Sequence, residues 1–231
     1  MAISANTLFR FVTDIQWLKK ALKDSAFEPR YCIEYDKKQQ DGSYYAIPMV
    51  CFCDITLTEI NEHVNDYGCY GLGLAKQWAK KNVSPVIYFN NQESLIRSLY
   101  RQLKGKIGDK QSALLFSLLK QYYGATWSST TGKIRKKILY NEREWRYVPR
   151  KISAKLLRIS VKPPKDFKIE NELVKNNRLS FTFDDIKYIL VKSEEDRVDM
   201  IEFLRETILD TITCNILLSK ILTLRQIEED F

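Results

Sequence analysis

Hydrophobic positions fall into short runs with two different periods along the chain, and the period sets the element that each run predicts. Thr7 to Phe11 predicts a short strand, and Ile15, Leu18 and Leu22 at helical spacing, with Asp14 at their start, predict a helix behind it. The polar stretch Glu34 to Tyr45 holds Asp41-Gly42 and predicts a turn or hairpin tip. Ile47 to Ile55 reads Ile-Pro-Met-Val-Cys-Phe-Cys-Asp-Ile, an almost unbroken apolar run that suits a strand buried on both faces near the middle of a sheet.

Glu59 to Asn65 predicts a short helix leading into Tyr67-Gly-Cys-Tyr-Gly-Leu-Gly-Leu74, where closely spaced glycines call for positive φ or for the close approach of another group. Pro85 to Phe89 predicts a further strand. Between Gln92 and Tyr123, Leu95, Leu99 and Leu103 and then Leu114, Leu115, Leu118 and Leu119 keep helical spacing, interrupted by Gly105 and Gly108, which predicts two helices. Gly124 to Lys137 reads as a basic loop. Ile138 to Val148, Leu156 to Val161 and Ile186 to Val191 predict three more strands, the last two separated by Pro163-Pro164 and a polar stretch. Ser193 followed by Asp196 resembles a capping box that opens one long amphipathic helix through Ile201, Leu204, Ile208, Ile212 and Ile216. The sum is an α+β fold in a single domain, residues 1–231. A mixed or antiparallel central sheet flanked by helices is expected over 1–192, and a C-terminal amphipathic helix packed on that core over 193–231.

Composition suits a globular chain: 45% of residues are hydrophobic and 29% charged, and 11 Phe, 13 Tyr and 4 Trp supply bulky core material. No apolar run approaches the roughly 18 residues that cross a bilayer, and no basic-then-apolar leader opens the chain, so a cytoplasmic protein with no membrane partner is expected. Five irregularly spaced cysteines fit reduced thiols better than a disulfide framework. The net charge of +8 is unevenly spread. Arg97 to Arg158 holds 16 Lys or Arg against Asp109, Glu142 and Glu144, a balance of +13, and Glu194 to Phe231 holds 10 acidic and 4 basic residues, a balance of −6. Such a basic segment favours a nucleic acid partner, RNA or DNA, because Lys and Arg displace condensed counterions. A solvated face paired with the acidic C-terminal helix fits the same numbers.

The segment Tyr140-Asn-Glu-Arg-Glu-Trp-Arg-Tyr147 concentrates the candidate chemistry. Strand alternation puts Glu142, Glu144 and Arg146 on one face, where their charges shift one another's pKa. A Glu-x-Glu pair suits stabilisation of an oxocarbenium ion, and the same pattern in a basic strand also describes a surface ion-pair ladder. His63 is the one histidine, so any His-dependent nucleophile must pass through it. Cys51, Cys53, His63 and Cys69 lack the spacing of a zinc ribbon or finger, and no metal is expected. The glycine-rich segment lacks both the P-loop and the dinucleotide-fold endings. Arg10, among Leu8, Phe9 and Phe11, either pairs with a core carboxylate or grips an anionic ligand.

Taken together, Ser4-Ala-Asn-Thr-Leu-Phe9, the Ile47–Ile55 run, His63 with Tyr67-Gly-Cys-Tyr-Gly-Leu-Gly-Leu-Ala-Lys-Gln-Trp78, Pro85-Val-Ile-Tyr88 and Glu142-Arg-Glu-Trp-Arg-Tyr-Val-Pro149 resemble the AbiGi family of abortive phage infection proteins. The resemblance runs to about Ile189, with the C-terminal helix matched loosely. It implies a role in phage defence, with an antitoxin label and hence a cognate toxin as partner. The layout of these motifs is similar to that of ADP-ribosyltransferases. By that likeness the fold is ADP-ribosyltransferase-like, Glu144 is catalytic, Glu142 orients the acceptor, and Arg10 with Tyr67 or Tyr70 holds NAD as substrate. Two departures stand out: Arg10 occupies the place of a histidine in the family pattern, and the middle strand has no Ser-Thr-Ser segment unless Ser128-Ser-Thr-Thr131 supplies hydroxyls from a loop. Two main readings follow, beside a plain RNA- or DNA-binding domain, for which no RNP-type aromatic strand or helix-turn-helix appears. One is an NAD-dependent ADP-ribosyltransferase effector that modifies a nucleic acid held by the basic segment, and the other a non-enzymatic antitoxin or partner-binding module whose charged strand is a structural ladder.

Overall fold

A computed structural model describes residues 5–34, 44–90, 95–128, 133–150, 157–159 and 167–230. The Asp41-Gly42 turn, the Ser129–Thr131 hydroxyls and Pro163-Pro164 lie outside the described residues. Strand β1 (Thr7–Val12) leads into α1 (Ile15–Asp24), which Asp14 caps by accepting the Gln16 N–H at 2.8 Å. The helix stops at Ser25, whose left-handed backbone (φ 46°) sends its N–H back to the carbonyls of Ala21 and Leu22. There follow β2 (Ala26–Phe27), β3 (Arg30–Glu34), β4 (Tyr44–Cys53), α2 (Ile60–Tyr67), β5 (Tyr70–Ala75), α3 (Lys76–Asn82), β6 (Ser84–Pro85) and β7 (Ile87–Phe89). The middle of the chain forms α4 (Leu95–Gly105), α5 (Lys110–Ser117), β8 (Leu119–Gln121), β9 (Tyr123–Ser128) and β10 (Lys133–Ile138). After a 3-10 turn, Leu139–Glu142, come β11 (Glu144–Tyr147), β12 (Leu157–Ile159), α6 (Lys168–Val174), β13 (Leu179–Ser180) and β14 (Ile186–Val191). The chain closes with α7 (Glu194–Thr207), α8 (Thr211–Leu218), β15 (Ile221–Thr223) and α9 (Leu224–Asp230).

The central sheet runs β15-β14-β5-β1-β4-β11-β6, with β3 and β12 also paired to β4. Each neighbouring pair is antiparallel except β14 with β15, so the sheet is mixed, as the sequence predicts. The apolar run of β4 is explained by its position: its first half pairs with β3 and β12, its second half with β1 and β11, and side chains on both faces are covered. On one face Leu8, Val50, Phe52, Leu72, Leu74 and Ile189 pack under α1, α3, α7 and α8 through Leu18, Leu22, Trp78, Met200, Leu204 and Leu217. On the other, Phe9, Cys53 and Leu190 meet Ile60 of α2 and Leu224 and Ile227 of α9. Met49, Ile47 and Tyr45 on that second face meet Leu103, Ala113 and Phe116 of α4 and α5.

The glycine-rich segment is β5, and both reasons for its glycines are visible. A side chain on Gly73 would begin 2.8 Å from the Phe9 ring and 2.9 Å from Thr7 Cγ2, so the second face of the sheet closes only over a bare backbone. Gly68, just before the strand, has φ 117°, and a Cβ there would lie 2.2 Å from the Val12 carbonyl oxygen.

Four expectations are corrected. The long C-terminal helix is three helices and a strand: Asp210 caps a new helix by accepting the Thr213 N–H at 2.7 Å, which ends one apolar series and starts another. The basic segment 124–137 is not a loop but mostly the antiparallel hairpin β9–β10. Pro85 to Phe89 is split between two sheets, β6 lying against β11 and β7 against β8. Glu142 is not on a strand with Glu144, because it ends the 3-10 turn and Arg143, left-handed at φ 43°, separates it from β11.

Candidate functional site: a buried chain of alternating charges

Eight charged side chains, drawn from six elements, form one line beneath the second face of the sheet. Arg135 of β10 bonds Asp66 of α2, and Lys137 bridges Asp66 at 2.7 Å to Glu142 at 2.9 Å. Lys120 of β8 reaches Glu142 at 2.6 Å and Glu144 at 2.8 Å. Arg146 grips Glu144 with two nitrogens, at 2.8 and 2.9 Å, and extends to Glu34 of β3 at 2.5 Å and to the Ser117 carbonyl at 2.6 Å. The order is Arg135, Asp66, Lys137, Glu142, Lys120, Glu144, Arg146, Glu34. Four cations alternate with four carboxylates, and the formal charges cancel.

The local backbone explains why the two glutamates share a lysine. In β11, Glu144 and Arg146 are two residues apart and therefore on one face, opposite Cys53 and Cys51 of β4. The left-handed turn at Arg143 swings Glu142 beneath that face, and the Asp54 N–H fixes the turn by donating to the Arg143 carbonyl at 3.1 Å. Tyr67, at the end of α2, donates its hydroxyl to Glu142 at 2.5 Å, and the Tyr88 hydroxyl accepts the Glu144 N–H at 2.9 Å.

Burial makes these bonds strong and their absence costly. The Arg146 side chain is fully enclosed and Glu144 is 7% exposed. Burial alone would push the Glu144 carboxyl up, yet Arg146 and Lys120 outweigh it and hold the group well below its ordinary value of 4.5. Glu142 is shifted the same way, burial again being outweighed by Lys120 and Lys137. Lys120 lies well above its ordinary value: burial opposes the charge, and Glu142 and Glu144 restore it. Tyr67 is pushed well up by burial and then by Glu142, so its hydroxyl stays a donor.

The structure gathers Tyr67, Glu142 and Glu144 and leaves Arg10 and Tyr70 elsewhere. Phe9, Cys53 and Glu144 stand in one row across three strands, and Arg10, the next residue of β1, therefore faces the opposite side of the sheet. There the half-buried guanidinium lies over the Phe27 ring, 5.6 Å from its centre, and donates to the Cys51 carbonyl at 3.3 Å. Tyr70 lies on Arg10's side, its hydroxyl donating to Asp196 at 3.3 Å, and burial with Asp196 raises its pKa to about 12. His63 is buried beside the rings of Phe11 and Tyr67. Among the described residues no group of three or more His, Cys, Asp or Glu is placed to hold a metal ion, and no helix is long and apolar enough to cross a membrane.

Sequence reasoning missed Asp66, Lys137, Lys120 and Glu34, each of which has a partner between 22 and 112 residues away in the chain. The one signal was Lys120 itself, a lone cation directly after Leu118-Leu119. It also overcounted the basic surface, since Lys120, Arg135, Lys137 and Arg146 are neutralised in this line.

A family model described as "Putative abortive phage resistance protein AbiGi, antitoxin" matches residues 25–192, which include β3, β4, β5, Glu142 and the whole of β11 with Glu144. The abortive phage resistance protein AbiGi of Lactococcus lactis subsp. cremoris is 27% identical over 249 aligned residues, spanning 89% of this chain and 100% of that protein. No solved structure matches the chain. With the family model covering most of its length, the chain belongs to the AbiGi family of abortive phage resistance proteins.

Proposed function

We propose that this chain serves phage defence as an antitoxin-type module, binding a partner protein rather than transforming a substrate at Glu144. The observation that carries this reading is the closure of Glu144: one oxygen accepts from Arg146, the other from Arg146 and Lys120, and the sheet separates it from Arg10. A carboxylate so engaged would have to lose a buried ion pair before it could meet a ribose or a developing cation. The line of charges instead suits a registering role, tying the β9–β10 hairpin, α2 and β8 to the sheet.

The partner surface is assigned to α7 and α8. Leu209, between α7 and α8, is 93% exposed, and Ile212, 72% exposed, shares a face of α8 with Ile216, while Glu202, Glu206 and Asp210 stand exposed close by in the chain. Apolar anchors beside acidic side chains fit a basic amphipathic segment of a toxin, in keeping with the antitoxin description of the family. The test is co-expression with the toxin of the same defence system. Ile212→Asp should release growth arrest with the chain's own melting temperature unchanged, and sustained growth would count against this surface.

A second reading draws support from one feature, the convergence of Tyr67, Glu142 and Glu144 around Lys120. An ADP-ribosyltransferase using NAD as substrate would take Glu144 as its catalytic carboxylate, Glu142 to orient the acceptor and Tyr67 against the nicotinamide. Incubation of the purified chain with labelled NAD, nucleic acid and cell lysate separates the two. Covalent label that disappears in a folded Glu144→Gln variant supports the enzyme, and no label supports the partner-binding module.

A further inference from the structure

The β9–β10 hairpin has a second face. Arg135 and Lys137 turn inward to Asp66, so by alternation Lys136 and Ile138, with Tyr123 opposite Ile138, turn outward. Tyr123 is 46% exposed and Ile138 41%, and Lys136 is exposed as well. Next to the ends of the two strands, Tyr122 and Tyr140, 44% and 47% exposed, stack with ring centres 5.4 Å apart and planes 24° from parallel. The pair is held in place: the Tyr140 N–H donates to the Tyr122 carbonyl at 3.2 Å, and the Tyr88 ring braces Tyr140 edge-on at 5.3 Å. From Lys110 to Asn141 the sequence holds no carboxylate, and the two acids beneath the hairpin, Asp66 and Glu142, are buried and bonded to cations.

We propose that this face binds single-stranded nucleic acid. Bases lie on the Tyr122–Tyr140 pair and on Tyr123, and phosphates meet Lys136. Exposed rings beside a lysine suit an unpaired strand, because each base offers a π-face to an aromatic side chain while the lysine meets its backbone. A duplex hides those faces in its own stack. The inward half of the same hairpin, locked to Asp66 and Glu142, gives the outward half a fixed footing.

The test is fluorescence anisotropy of the full chain with fluorescein-labelled 20-nucleotide oligouridylate, oligothymidylate and a 20-base-pair duplex, titrated from low to moderate salt. Both single strands should bind more tightly than the duplex, and the ratio between them tells RNA preference from DNA preference. Tyr123→Ala should weaken binding about tenfold, the loss expected from one stacked base. Tyr140→Phe, which keeps the ring, should bind as the parent does. Lys136→Gln should lower the salt slope by about 0.7 for the phosphate contact removed. No binding at low salt by a chain with a native circular dichroism spectrum overturns the proposal. So does a folded Tyr123→Ala variant that binds unchanged while Lys136→Gln weakens single strands, duplex and heparin alike, since that pattern describes charge without stacking.

Discussion

Glu144→Gln removes one charge from the middle of a neutral line of eight, and the structure says what is left behind. Among the described residues, Arg146, fully enclosed, keeps Glu34 as its one counter-charge beside the Ser117 carbonyl, and Lys120 keeps Glu142. Breaking a buried ion pair from one side costs about 3–5 kcal/mol, because the partner charge stays buried and uncompensated. At about 2–4 °C per kcal/mol for a domain of this size, the melting temperature should fall by roughly 6–20 °C. Guanidinium denaturation at neutral pH, followed by tryptophan fluorescence, measures the loss. The double variant Glu144→Gln/Arg146→Met restores neutrality, so it should lose less than the two single variants summed, by about 1–3 kcal/mol for residues in direct contact. A single variant within about 1 kcal/mol of the parent, or strict additivity in the cycle, would refute the view that these charges hold the fold as one unit.

Glu142 and Glu144 have folded pKa values below their ordinary 4.5, so the stability they contribute is complete above that pH and is lost as pH falls below it towards the depressed values. Acid titration of stability should therefore show a steep loss on the low side of pH 4.5 and a plateau above it, and Glu144→Gln should flatten the acid limb. Gly73→Ala drives a methyl group into the Phe9 ring and Thr7, and overpacking of this kind costs about 1–3 kcal/mol by denaturant midpoint. Asp210→Ala removes the cap of α8, and calorimetry should show the melting temperature lowered.

Elements whose apolar period and end signals agree were legible in the sequence. Strand β1, helix α1 with Asp14 at its start, the two-sided run of β4 and the Ser193 cap of α7 fall where periodicity puts them, because local propensity and burial favour the same answer there. The series Ile201, Leu204, Ile208, Ile212, Ile216 misled because its spacing runs through the break at Leu209, and Asp210 followed by Thr211 was the overlooked start signal. The β9–β10 hairpin was hidden for a different reason. Lys137 is tolerable on its inner face because Asp66, 71 residues earlier, meets it there together with Glu142, and no local pattern announces a partner at the range of Asp66. The same holds for the site. The Glu-x-Glu pair and Arg146 were visible on one strand, but whether they faced a cleft or a closed set of counter-charges depended on Lys120 and Glu34, brought in by other elements.

The most direct test of that closed set is the ionisation of Glu144 itself, read by NMR from the carboxyl carbon of labelled glutamate, with Glu144→Gln giving the assignment. Paired with Arg146 and Lys120, the Glu144 signal should hold its ionised position from pH 7 down to pH 4, where exposed glutamates are already well into their titration. A Glu144 carboxyl that titrates at or above its ordinary 4.5 would contradict the account and return that residue to the role of an available acid or base.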